Sequence, residues 1–220
     1  MNRGVLKQLM AGFAEDPAQS RYSGLYDAAL DRAQEQFALD TRALWKDAPS
    51  YSVTADDADY DLPSDFMWEK RITLDGKELK PITKARLDEN SSGDWTEDTG
   101  DPTFFLINPE EASKSIRLYP IPQRSQTMVL TYFPLPASST TDSDVPLNSS
   151  ALLAQFHIAL AAYGAWLLMM NDSATAEKAA KKAELLGLYS GKVTEAIDLF
   201  KNTASAPIRM GGGRYWPRDV

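Results

Sequence analysis

Along the chain the apolar positions change period twice, from helical to alternating and back to helical. Val5, Leu6, Leu9, Met10 and Phe13 share one helical face, and Pro17 with Gln19-Ser20-Arg21 ends that run. Tyr26, Leu30, Ala33, Phe37 and Leu44 repeat near helical spacing, with Asp27, Asp31, Arg32, Glu35 and Arg42 mostly on the other faces. They predict an amphipathic helix over 23–46, N-capped by Ser23 and followed by Pro49. From residue 50 the pattern shifts to short alternating runs rich in β-branched and aromatic residues: 51–54, 67–74, 77–82, 103–107, 115–119 and 127–133. Asp75-Gly76 between two of these runs signals a two-residue hairpin. Proline cannot donate to a sheet ladder, so Pro120 and Pro134 mark strand ends. The last three runs predict a meander, with 120–126 as its final hairpin loop. Helical signals return after a Ser/Thr/Asp-rich stretch at 138–148. One helix is expected from 149 or 150 to 170. A second is expected over 174–200, with Ala176, Ala179, Ala183, Leu186, Val193, Ile197 and Phe200 on one face. Gly187 and Gly191 mark where that helix is expected to bend or split. The turn between the two is short, which makes them antiparallel neighbours.

The expected fold class is therefore α+β. A helical bundle is built from the N- and C-terminal helices, with a small antiparallel β-sandwich or barrel-like module inserted and an extended C-terminal tail. The corresponding segments are 1–49, 50–137, 138–201 and 202–220. The 220 residues suffice to bury a good core.

Composition narrows the chemistry. The chain has no cysteine and a single histidine, His157, which removes disulfides, thiolate nucleophiles and any cysteine- or histidine-cluster metal site. The formal charge is −8, yet the last twenty residues are basic, with Lys201, Arg209, Arg214 and Arg218 against Asp219. An acidic body argues against DNA wrapping or sequence reading. A basic arm on an acidic body is an interaction pattern. The apolar stretch 151–170 is long enough for a bilayer, but its alanines, Gln155, His157 and flanking Asp144 and Asp172 fit a helix buried in a bundle or oligomer. No secretory signal is expected, because 1–13 lacks an apolar core of sufficient length.

No residue pattern demands catalysis. Asp57, Asp59 and Asp61 begin like a calcium loop, but Leu62 and Trp68 stand where its glycine and glutamate belong. Asp94, Glu97, Asp98 and Asp101 supply carboxylates for a glycosidase-type pair without any feature that would raise a pKa. His157 has no G-x-S-x-G nucleophile to serve, and Gly211-Gly212-Gly213 lacks the strand and Lys-Ser/Thr of a phosphate loop. Catalytic, cofactor-binding and metal residues are thus expected to be absent. Trp45, Trp68, Trp95 and Trp166 read mostly as packing residues. Trp216 does not, because it sits in a tail with no local core. The contacts are expected instead in the tail, through Ile208, Arg209, Met210, Arg214, Tyr215, Trp216 and Arg218, and in the loops 83–101 and 120–126, through Asp94, Trp95 and Arg124.

The order of pieces resembles the head-to-tail adaptor (connector, tail-tubular A-type) proteins of tailed bacteriophages. N-terminal helices lead to Leu62-Pro63-Ser64-Asp65-Phe66. Asp75-Gly76, Gly100-Asp101-Pro102-Thr103-Phe104-Phe105, Leu118-Tyr119-Pro120-Ile121-Pro122, Leu130 to Pro136, and Val145-Pro146-Leu147 follow in turn. A helical hairpin closes the series, and the likeness spans about 20–200. It implies a non-enzymatic virion protein, assembled in the host cytoplasm, forming a homo-oligomeric, typically twelve-fold ring under the portal protein. Such a ring extends the DNA channel, lets double-stranded DNA pass without sequence reading, and offers a platform to the next tail or neck (nozzle-like) protein. In such rings C-terminal extensions commonly reach toward the portal. The alternatives from other classes are a virion-associated peptidoglycan hydrolase and a β-sandwich binding module on a helical stalk.

Overall fold

In the computed structural model the helical periods become α1 (Arg3–Phe13) and α2 (Tyr26–Thr41), and the alternating region becomes, among the described residues, eleven strands. They are β1 (Lys46–Asp47), β2 (Tyr51–Val53), β3 (Asp59–Asp61), β4 (Phe66–Leu74), β5 (Lys77–Glu78) and β6 (Lys80–Pro81), then α3 (Lys84–Asn90), then β7 (Thr99–Gly100), β8 (Phe104–Asn108), β9 (Ser115–Tyr119), β10 (Ile121–Pro122) and β11 (Gln126–Pro134). Two helices follow, α4 (His157–Met169) and α5 (Ala176–Ser205). The structure describes residues 1–90, 94–108, 115–138, 141–147, 150–172 and 175–205, without the side chains of 90, 108 and 202–205. The α+β architecture is as expected.

The helices form one apolar core with α4 at its centre. α1, α2 and α5 all pack on α4. Nine of its residues, from His157 to Met169, are buried on every side. That explains the uninterrupted apolar run, because a helix enclosed by three others needs no polar face. Among the described residues no helix is long and apolar enough to cross a membrane. The run does not start as a helix at 149 or 150. Turns and a 3₁₀ segment, Ala154–Phe156, precede α4.

Local chemistry fixes the other helix ends. Asn2 caps α1 by accepting the Val5 N–H at 3.0 Å. The returning 141–147 segment satisfies two more of its free donors, Arg3 N–H to Asp144 O (2.8 Å) and Gly4 N–H to Asp142 O (2.9 Å). The Arg3 side chain is itself buried and ties α1 to α2 through Asp27 (2.9 Å) and Asp31 (2.6 Å). The turn into α2 is organised by buried Asp16, which accepts from Tyr26 Oη (2.9 Å) and from the backbone of Ser20, Arg21 and Tyr22. Burial pushes this carboxyl up, but those four donors outweigh it and hold it below the usual range. α2 is shorter than the 23–46 run. It begins after Leu25 rather than at Ser23, and it ends where Arg42 turns left-handed (φ 50°) with its N–H on Ala38 O. The chain then becomes extended to pair β1 with β11.

α5 is continuous through Gly187 and Gly191 and runs on to Ser205. Its buried stripe also differs from the expected one. Leu185, Tyr189 and Ala196 are buried, with Leu188, Val193, Leu199 and Phe200 against them, while Ala176, Ala179 and Ala183 are exposed. Bulky side chains gain more from burial than alanine does, so they decide the rotation of a helix whose apolar residues do not form one clean stripe.

The strands make a two-layer sandwich. One sheet has the order β1-β11-β4-β5, with β2 also on β11, and the other β3-β9-β8-β6. Asp75 (φ 48°) and Gly76 (φ 80°) form the expected tight turn between β4 and β5, both left-handed as such a hairpin requires. The expected meander is corrected. β8 and β9 pair, but β9 and β11 lie in different sheets. β9 is already flanked by β3 and β8, so 120–126 crosses between layers rather than turning a hairpin. Ile116 and Leu118 of β9 and Met128, Leu130 and Tyr132 of β11 are all buried in the one core between the sheets.

Candidate docking interface

The two loop regions expected to meet partners come together at one end of the sandwich. β7 and β10 pair in parallel, Thr99 beside Ile121 and Gly100 beside Pro122. Ile121 N–H donates to Asp98 O (2.8 Å), Gln123 Nε2 to Thr99 Oγ1 (3.0 Å), and Asp56 N–H to Pro122 O (2.8 Å). Residues 54–58, 94–101 and 120–124 therefore form one edge rather than separate loops; 91–93 lie outside the described residues. Arg124 is exposed, with Nε 3.3 Å from Asp101 Oδ1. Asp94 is exposed and caps the 3₁₀ turn Trp95–Glu97, accepting from Thr96 N–H (3.0 Å) and Oγ1 (2.6 Å). Those two donors lower its pKa, the opposite of what a general acid needs.

Trp95 is not held out toward a partner. Its indole is 7% exposed and packs with Leu87 and Leu106, edge-on to Tyr119 at 6.1 Å, while Nε1 donates to Asp88 Oδ1 (2.6 Å). The reason is that the outer face of the second sheet carries Leu106 and Tyr119, which need an apolar cover. Arg117 binds this cover down, with its guanidinium on Asp59 Oδ2 (3.0 Å) and Thr96 O (3.2 Å) and over the Trp95 ring. Tyr119 donates to Asp98 Oδ2 (2.8 Å), and that bond, then burial, raises the phenol pKa. The Asp57-Asp59-Asp61 alternation proves to be a turn running into β3, with Asp59 committed to Arg117. Among the described residues no cluster of three or more metal-ligating side chains occurs. Ile208, Arg209, Met210, Arg214, Tyr215, Trp216 and Arg218 lie outside the described residues.

Two tryptophans read as packing residues are exposed instead. Trp45 is 54% and Trp68 39% accessible, each under a cation: Lys70 Nζ lies 3.8 Å from the Trp45 ring centroid and Arg42 4.9 Å from that of Trp68. The run Trp68-Glu69-Lys70-Arg71, an aromatic among charges, was the available signal. It is masked because two register shifts in the β4–β11 pairing break the alternation of β4. Beside Trp45, a groove of about 450 Å³ lined by Leu44, Pro134, Leu152, Leu153 and Phe200 marks the junction of bundle and sandwich.

The sequence model of the family described as SU10 adaptor protein matches residues 1–211, nearly the whole chain and both of its layers of structure. The chain belongs to the SU10 adaptor protein family. It is a structural protein of a bacteriophage, a virion component of the adaptor class concerned with tail assembly. No curated protein matches it. For an SU10 adaptor protein the surfaces exposed to solvent are the features of interest. Exposed among the described residues are the loop edge around Asp98 and Arg124, the tryptophan face of the first sheet, and the outward side of α5.

Proposed function

We propose that this protein is a head-to-tail adaptor that assembles in the host cytoplasm into a ring, twelve-fold as in the proteins it resembles, below the portal protein. The observation that carries this reading is the family match from residue 1 to 211. In it the helical segments 1–49 and 138–201 build the body of the ring, and the β module 50–137 holds its loop edge toward the next tail or neck protein. The segment 202–220 docks on the portal through Ile208, Arg209, Met210, Arg214, Tyr215, Trp216 and Arg218. Arginine and aromatic side chains suit such an anchor, and a basic tail suits an acidic acceptor. The net charge of −8 supports a channel wall along which DNA slides, since it offers few cations to neutralise phosphates. The protein carries no catalytic residue in this role.

The test is capture of the portal protein by full-length chain and by a chain ending at Ser205, followed by plaque titres of phage carrying the truncation. Loss of portal binding and of infectious particles, with the thermal midpoint unchanged, supports the docking role. Equal capture and equal titre sink it. Electron microscopy of the particle gives the copy number, and a particle with this protein anywhere but the neck overturns the reading.

A further inference from the structure

The two faces of the sandwich are unequal. The second sheet is covered by Leu87 and Trp95, as described above. Among the described residues the first sheet has no such cover. On its outer side Phe133 stands beside Trp68 in the β4–β11 register, and Trp45, one residue before the Lys46–Tyr132 pair, continues the same row. The cation contacts confirm that the row shares one face, because Lys70 of β4 reaches across β11 to Trp45. Arg71, opposite Thr131, is exposed on that side as well. Among the described residues Arg42, Lys70 and Arg71 have no carboxylate within ion-pair distance. The acid on this face, Asp47, is engaged by the Thr131 hydroxyl (2.6 Å). An aromatic row with three cations that no carboxylate neutralises, two of them resting on its tryptophan rings, is thus left open on a chain of net negative charge.

We propose that this face seats against the outer side of α5 in a second copy of the chain. That side offers what the row lacks. Ala176, Ala180, Ala183, Gly187, Gly191 and Thr194 are exposed along it, a shallow channel about 27 Å long at helical rise. Glu177, Glu184, Glu195 and Asp198 border the channel, and Glu177 and Asp198 have no ion-pair partner among the described residues. A Cβ on Gly187 or Gly191 would meet nothing within 4 Å, and neither glycine has a positive φ. Among the described residues nothing therefore requires glycine there, although each weakens the helix relative to alanine. Large aromatic side chains fit against a floor of small ones, and the cations without carboxylate partners meet the acidic border. The two surfaces belong to different elements, so the contact is heterologous and propagates around a ring. The inference rests on the ring reading and specifies which faces would form it.

The chain has no cysteine, which permits a clean test. Arg71→Cys/Glu184→Cys protein is treated with a short bismaleimide at concentrations where sedimentation shows the unmodified chain associating. The expected result is a ladder beyond dimer in denaturing gels for the double variant and monomer for each single variant. Cross-linked dimers from a single variant overturn the pairing, because the face then meets itself. Associated protein without cross-links overturns this contact and leaves the ring standing. No association at any concentration overturns the self-contact, and portal capture by the same samples then decides whether the adaptor reading falls too. Gly187→Leu supplies the folding control. It keeps or raises the thermal midpoint while weakening self-association at least tenfold, and unchanged association refutes the proposal.

Discussion

Gly164 and Gly187 both lie inside helices, yet replacing each by alanine should move stability in opposite directions. On propensity alone each change gains about 1 kcal/mol, since glycine is that much less favourable than alanine in a helix interior. At Gly187 that is the whole effect, because a Cβ there meets nothing within 4 Å. At Gly164 the Cβ would stand 2.5 Å from Met10 Cε and 3.0 Å from Met10 Sδ, with Ala29 O at 3.5 Å. Met10 is fully buried, so its thioether must find a new rotamer inside a filled core. Overpacking of this kind costs roughly 1–3 kcal/mol. The net expectation is a gain of about 0.5–1 kcal/mol for Gly187→Ala and a loss of about 0–2 kcal/mol for Gly164→Ala. At this chain length each kcal/mol moves the thermal midpoint by about 2–4 °C. Urea unfolding of dilute protein, compared at equal m-value, measures both changes. Met10→Ala added to Gly164→Ala should show favourable coupling of about 1 kcal/mol or more, because the new methyl occupies space the thioether leaves. A Gly164→Ala midpoint as high as that of Gly187→Ala would refute the reasoning, and with it the close approach of α1 to α4.

Other outcomes follow from the same structure. His157 is buried against the α-ammonium group, Met1 N to Nδ1 being 2.9 Å, and burial first, then that charge, push its pKa down to about 4. The unfolded histidine takes up a proton near pH 6.5, so the native state loses up to about 3 kcal/mol as pH falls from 6.5 to 4. His157→Leu should flatten urea midpoints measured across that window, and an unchanged slope would exclude the histidine as its source. Trp95→Ala should cost about 3–5 kcal/mol as a core truncation, whereas Trp45→Ala should change the dilute monomer by less than about 1 kcal/mol, both read by thermal unfolding. Gly76→Ala places a Cβ at φ 80° and should cost about 1–2 kcal/mol in the same measurement.

What the sequence determined by itself was set by neighbours along the chain. Asp75-Gly76 gave its hairpin because the turn's dihedrals are a property of two residues. β9 and β11 were readable from their alternation and proline stops, and the apolar 151–170 run declared a helix that must be enclosed. The order of pieces carried the family resemblance, whereas the long polar stretch 83–101, read as a loop, holds α3, a 3₁₀ turn and β7.

Tertiary structure decided the rest. Alternation tells a strand which side faces in but not which strand lies beside it, so β9 and β11 could be placed in one meander until their edges were seen to be taken. The joining of 94–101 to 120–124 through β7 and β10 is a pairing between distant segments, invisible to local pattern. Small residues carry little hydrophobic bias, so α5 was rotated by Leu185 and Tyr189 rather than by its alanines. The tryptophans show the same limit from the other side. Trp95 and Trp68 are chemically identical, and only the presence or absence of an apolar surface to cover made one a core residue and left the other in solvent.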